Sequence, residues 1–296
     1  MNILSTEKQT QIIAALTEGC SIRAVERLTG VHRDTIMRLA VRVGEGCLKL
    51  HSAMMRDLQV NRIELDEIWA YVGKKQRKIV AGDSDLIGDQ YTFIALADTA
   101  KAIITYRTGK RTTENTQKFA DDLRARVIGS PEISTDGFNA YPWCIAHAFG
   151  EKVAHGVVEK HYAVNQSPEA SRRYSPGQVV KVTKNVVHGV PTHISTSYVE
   201  RQNLTLRMSQ RRFTRLTNGF SKTYLNHCAA VALYVAHYNL CRVHEALRVT
   251  PAMQLGVTDR VWTISDLVEA ALNGVVTGEP QGRKVGRFTV IDGGQR

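Results

Sequence analysis

The chain has 296 residues, 43% of them hydrophobic, enough to bury the core of one large domain or two ordinary ones and too apolar for a disordered protein. Its apolar runs are too short to cross a bilayer, Glu7 and Lys8 interrupt the place of a signal peptide, and five scattered cysteines without a C-x-x-C pair exclude a disulfide framework and a zinc ribbon, so a soluble, cytoplasmic, globular protein with no membrane partner is expected. A formal net charge of +11 favours a polyanionic partner, because clustered Lys and Arg gain by releasing counterions from phosphates.

Residues 7 to 20 place Ile12, Ile13 and Leu16 at helical spacing, and Gly19 ends the pattern. The next stretch, SIRAVERLTGVHRDTIMRL (Ser21 to Leu39), sets Gly30 between two short amphipathic helices, with Ile22, Val25 and Leu28 before it and Val31, Ile36 and Leu39 after it. That is the layout of a helix-turn-helix. In such a motif the second helix lies in the major groove, which makes Arg33, Thr35 and Arg38 the expected DNA readers. Glu26 departs from the pattern, standing where a small residue usually lets the helices approach. A plain helical hairpin with a surface Asp34–Arg38 pair is the alternative. The expected all-α DNA-binding domain covers 1–45, with a helical linker at 46–60.

From Asn61 the texture changes. NRIELDEIWAYVGKK (Asn61 to Lys75), QYTFIALADTA (Gln90 to Ala100) and KAIITYRTGK (Lys101 to Lys110) are rich in β-branched and aromatic residues and predict an antiparallel meander of three strands. A basic knot, Lys74, Lys75, Arg77 and Lys78, sits beside the first strand turn and is expected to contact DNA. Residues 112 to 128 have a helical period, capped by Thr112 or Thr113, and PEISTDG (Pro131 to Gly137) is a short strand ending in a turn. A short helix broken by Pro142 and a fifth strand, Val153 to Val164, follow. The polar, basic stretch at about 165–193 is expected to be an insertion or long loop.

Helices are predicted again from Tyr198 to about Arg215 and from Ser221 to about Val243, with Pro251 opening a smaller C-terminal piece and the last residues a loosely ordered tail. Residues 201 to 222 hold Arg201, Arg207, Arg211, Arg212, Arg215 and Lys222 with no acid among them, a run that would repel itself unless an anion lay nearby. His237, Cys241 and His244 are the nearest thing to a metal cluster, but their spacing sits inside an amphipathic pattern and reads as core.

Three strands, helix, strand, helix, strand and a late helix is the element order of the ribonuclease-H-like fold. In that fold an acid of the first strand, one after the fourth and one on the late helix converge, and here those places hold Asp66, Asp136 and Glu200. Three carboxylates suit metal-dependent phosphodiester chemistry, in which two divalent ions ~4 Å apart activate the attacking oxygen and absorb charge on the leaving one. Each acid has a rival: Glu64 shares a strand face with Asp66 while Glu67 points away, Asp98 ends another strand, and Ser197 to Glu200 fits a capping box that would give the glutamate a structural role.

TDGFNAYP around Asp136, TSYVERQNLTLRMSQRRFTRLTNGFSK around Glu200 and the later AHYNLCRVHEALRVTPA resemble bacterial insertion-sequence transposases of the DDE class, particularly the family typified by the first-numbered insertion sequence. The resemblance spans roughly Asn61 to Gly256. It implies an α/β, ribonuclease-H-like mixed sheet flanked by helices over 61–250, followed by a C-terminal extension at 251–296 and preceded by the helix-turn-helix. It further implies Asp66, Asp136 and Glu200 as catalytic and metal-binding acids, two Mg (or Mn) ions as cofactors, Asn203 and Arg207 on the helical face of Glu200, and double-stranded DNA as partner of a homodimer or higher oligomer, with Arg201, Asn203, Arg207, Arg211 and Arg212 as DNA contacts. The chain departs from the pattern in the long stretch between Asp136 and Glu200 and in lacking cysteines for the amino-terminal zinc module of some relatives. Other readings of the same residues are a transcriptional regulator with a non-catalytic ribonuclease-H-like domain, and a nuclease that cuts without joining.

Overall fold

The computed structural model describes residues 4–163, 177–214 and 218–274; part of the expected insertion, Arg215 and the expected tail lie outside the described residues. The chain opens with α1 (Thr6–Thr17), α2 (Ile22–Thr29) and α3 (Arg33–Met54). Ser5 and Ser21 start the first two, their hydroxyls accepting the Lys8 and Ala24 backbone N–H groups. Gly30 ends α2 at a φ of 70°, a left-handed turn that glycine adopts without a Cβ penalty. Ile36 and Leu39 face inward as expected, but Leu28 is 71% exposed and contributes nothing to the core. Helix α3 has 22 residues, running through the expected boundary at residue 45 and most of the expected linker.

After the short β1 (Leu58–Gln59) come β2 (Arg62–Val72), β3 (Gly88–Ala97) and β4 (Ile103–Gly109), an antiparallel meander. Next are α4 (Thr113–Arg124), capped by Thr112, then β5 (Val127–Ile128), which pairs with β1, and β6 (Glu132–Asp136). Helix α5 (Tyr141–Phe149) is not broken by Pro142, which lies in its first turn, where a missing N–H costs nothing. Strands β6 and β7 (His155–Tyr162) run parallel to β2, and β8 (Val179–His188) returns antiparallel to β7. The sheet order β4-β3-β2-β6-β7-β8, with three antiparallel strands and then two parallel to the first, is that of a ribonuclease-H-like sheet with an added edge strand. That edge occupies residues expected to form a loop. Its valines and lysines are exposed along nearly the whole strand, so neither face supplies the one-sided alternation by which a strand is read from sequence.

Helices cover both faces. Leu65, Phe93, Ala95 and Ile104 meet Phe119 and Leu123 of α4 and Tyr141 and Ile145 of α5 on one side. On the other, Ile68, Ile94 and Leu96 meet Val199 and Leu206 of α6 (Ser197–Ser209) and Val231, Tyr234, Val235 and Tyr238 of α7 (Tyr224–Leu240). Central strand β2 is covered on both faces, and its apolar residues Ile63, Leu65, Ile68, Ala70 and Val72 are buried, while Glu64, Asp66 and Glu67 interrupt them. The opposite stripe of α7, with Ala232, Leu233, Ala236 and Leu240, packs against α3, α1 and the C-terminal α9 (Ile264–Asn273), which follows the single turn α8 (Pro251–Gln254). A helix apolar all round is a buried one, and α7 joins the sheet to the amino-terminal helices. Among the described residues no helix is long and apolar enough to cross a membrane.

Candidate active site

Strands β2 and β6 lie in parallel register with Leu65 opposite Thr135, so the next residues, Asp66 and Asp136, emerge side by side where β6 ends. Glu67, which strand alternation sends to the opposite face, nevertheless joins them. Strand β2 runs on past the end of β6, so both its faces open into the same cleft, and one oxygen each of Asp66, Glu67 and Asp136 lies within 4.8 Å of the others. The cleft holds about 830 Å³ and is also bordered by Arg111, Lys160, Glu200, Asn203 and Arg207.

Glu64 sets where α6 begins. Buried on the face it shares with Asp66, it accepts the backbone N–H groups of Tyr198 and Val199 at 2.7 and 2.9 Å, filling the helix amino terminus with negative charge. This explains the rival acid at that position as a helix cap. The capping box weighed as the alternative role for Glu200 does not form at Ser197: Thr196 holds the cap position, and its hydroxyl donates to Glu200 Oε1 at 2.7 Å. With the start of α6 fixed, Glu200, Asn203 and Arg207 fall on the turns that face the cleft. Asn203 Nδ2 donates to Asp66 Oδ2 at 2.8 Å, and the other oxygen of Glu200 pairs with Lys160 of β7.

Burial, and then the charges of Asp136 and Glu67, push the Asp66 carboxyl up to about 7. Burial also raises Glu67, with Asp136 adding to it, and raises Asp136, with Glu200 adding to it. These groups repel as anions, and positive charge beside them favours their ionised forms. Arg111 supplies part of that need: it bonds Glu67, approaches Asp136 Oδ2 at 3.6 Å and lies 4.0 Å over the Phe138 ring. Tyr141 donates its hydroxyl to Glu67 at 2.9 Å. Glu67, Arg111, Tyr141 and Lys160 were not among the site residues anticipated from sequence. Tyr141 stands inside the TDGFNAYP motif and Arg111 lies two residues past β4, but which carboxylates they serve depends on pairing between distant segments.

Asp98, the other rival acid, pairs with Arg62 at 2.7 Å and lines none of this cleft. His237, Cys241 and His244 form no metal-ligand group; among the described residues that geometry belongs to the carboxylates. Of the anticipated DNA contacts, Arg33, Arg38, Lys75, Arg77, Lys78, Arg201 and Arg211 are exposed, and Thr35 is half-buried. Lys74 is tied to Asp83 at 2.5 Å. Asn203 is buried against Asp66. Arg212 gives Nη1 to Ser221 and to the Asn226 carbonyl at 3.0 Å each, and burial lowers its guanidinium to about 10, an internal brace between α6 and α7. Glu26 accepts the Arg33 backbone N–H at 2.9 Å and so caps α3, an occupation for the residue that departs from the helix-turn-helix pattern.

Neither a family model nor a curated protein matches the sequence. Among solved structures the chain is similar to the piggyBac transposase in a synaptic complex with hairpin DNA, at a TM-score of 0.44 and 10% identity over 92% of this chain and 72% of that one. It is also similar to the Mos1 strand transfer complex, at a TM-score of 0.23 and 13% identity over 80% and 79% of the respective chains. Likenesses of this size bear no weight for function, which rests on the cleft itself.

Proposed function

We propose that the chain is a DNA transposase of the DDE class, which cleaves DNA at the ends of an insertion sequence and transfers the exposed 3′ hydroxyl into target DNA. The observation that supports this reading is the carboxylate cluster of Asp66, Glu67 and Asp136, from two strands far apart in sequence, in a cleft that Glu200 borders from a helix while its own oxygens are held by Lys160 and Thr196. The donor set fits a hard divalent cation: clustered carboxylate oxygens whose ionised forms are held at a cost by burial and mutual repulsion, with no thiolate or imidazole among them. Magnesium or manganese ions bound there supply an activated oxygen nucleophile and charge neutralisation on the leaving oxygen.

The chain's own residues do the rest. Asp66 and Asp136 form the shared carboxylate edge, Asn203 orients Asp66, and Glu200 faces them from α6. Arg111 and Tyr141 fix Glu67, so that its charge stays beside the other two. Arg207 and Lys160 present positive charge where a phosphate must lie. Helices α2 and α3 read the element ends through Arg33 and Arg38, and Lys75, Arg77, Lys78, Arg201 and Arg211 hold phosphates. Two ends must be brought together, which calls for a dimer or higher assembly on DNA.

The test is cleavage and joining followed on one labelled DNA carrying the ends that flank the gene. Wild type cleaves and joins with Mg²⁺ or Mn²⁺, and Asp136→Asn does neither. Cleavage without joining would make the protein a nuclease; sequence-specific binding indifferent to metal, with no cleavage, would make it a regulator.

A further inference from the structure

The cleft does not end at Glu200. Beyond Lys160 and Arg207 it continues into a second, open groove of about 710 Å³ between the β7–β8 hairpin and the end of α6. Lys160, Tyr162 and Arg207 border both spaces, so one path leads from the acids into the groove. Past the two cations the walls turn apolar: Tyr162 is 56% exposed, Met208 76% and Val179 43%. Gly177 lays bare backbone along the Tyr162 ring, where a Cβ would come within 2.8 Å of Cδ1. The ring is therefore backed by main chain on one side while keeping more than half its surface open.

A groove that begins with cations and continues with an aromatic and a thioether discriminates between forms of nucleic acid. Duplex DNA offers phosphates to Lys160 and Arg207 but keeps its base faces stacked inside, leaving Tyr162, Met208 and Val179 against water. An unpaired strand offers phosphates and base faces together, and base–aromatic stacking is indifferent to sequence. We infer that this groove holds an unpaired stretch of DNA strand continuous with the strand at the acids, one base stacked on Tyr162 and flanked by Met208. The inference rests on reading the acid cleft as a strand-cleaving centre and extends it: the substrate is opened beside the site.

The test compares blunt duplex with duplex bearing a single-stranded tail that contains 2-aminopurine, with Ca²⁺ in place of Mg²⁺ during binding. Wild type is expected to bind the tailed DNA about tenfold more tightly than the blunt DNA, on the order of one base–aromatic stack, and to quench the 2-aminopurine. Tyr162→Ala loses both the preference and the quenching while binding blunt duplex as wild type does; Tyr162→Phe keeps both, and matched thermal melts exclude misfolding. Absence of a tail preference in wild type, or its persistence in Tyr162→Ala, overturns the inference. So does a Tyr162→Ala protein whose sole change is a smaller assembly in sedimentation, which would assign the groove to a second copy of the chain. Mg²⁺-dependent cleavage measured on the same DNA separates the two readings: cleavage without tail preference sinks the groove alone, and tail preference without cleavage sinks the transposase alone.

Discussion

Asp66, Glu67 and Asp136 are pressed together without enough positive charge to balance them, and their titration follows from that. A carboxyl raised by the fold favours the folded state while protonated, and that advantage is lost as pH climbs from its unfolded value to its folded one. For Asp66 the window runs from 3.8 to about 7. The melting temperature of the metal-free protein is therefore expected to fall as pH rises through this range, and added Mn²⁺ to restore it at the upper end. Asp66→Asn should flatten the metal-free fall and lower metal-dependent cleavage by more than about 100-fold, since a ligand matters at least as much as its supporting shell. The sequence made Asp66 and Asp136 legible because each sits at a strand position with a simple period. It hid Glu67, because alternation sends that residue away and only the early end of β6 brings it back.

Helix α6 owes its position to a side chain on another element. Glu64→Ala removes the acceptor for two helix-terminal N–H groups in a buried place and should cost about 1–3 kcal/mol in urea unfolding, with Glu64→Gln milder. Because Glu200 rides on that helix, cleavage should fall with it. Helix α3 shows the converse problem of reading elements locally. The stretch from residue 46 reads as a helical linker separate from the preceding helix, yet α3 runs to Met54 without a break through Gly44 and Gly46. Their lack of a Cβ admits the backbones of α7 and α9: a Cβ on Gly44 would land on Ala229 and one on Gly46 on the Ala271 carbonyl. Helix propensity alone favours Gly46→Ala by about 1 kcal/mol. The close approach reverses the sign, and a net loss of about 1–3 kcal/mol is expected in thermal or urea unfolding. The added edge β8 escaped sequence reading for the opposite reason, having too little buried on either face to leave a pattern.

Across the whole molecule, α7 is the common member. One stripe lies on the sheet opposite α4 and α5, the other in the core shared by α1, α3 and α9, so the helices proposed to read DNA are packed onto the sheet carrying the acids through α7, with His51 of α3 adding a direct contact to Ile104 and Tyr106 of β4. Element ends gripped by α2 and α3 would then be held at a set position relative to the cleft. The claim on which this depends is that Asp66 and Asp136 bind a catalytic divalent ion together. Anomalous diffraction from crystals soaked in Mn²⁺ tests it most directly. The expected map has a manganese peak ligated by both aspartates, with the Glu200 carboxylate released from Lys160 toward it. A map with no peak in reach of the two aspartates, at a manganese concentration that supports DNA cleavage in solution, would contradict it.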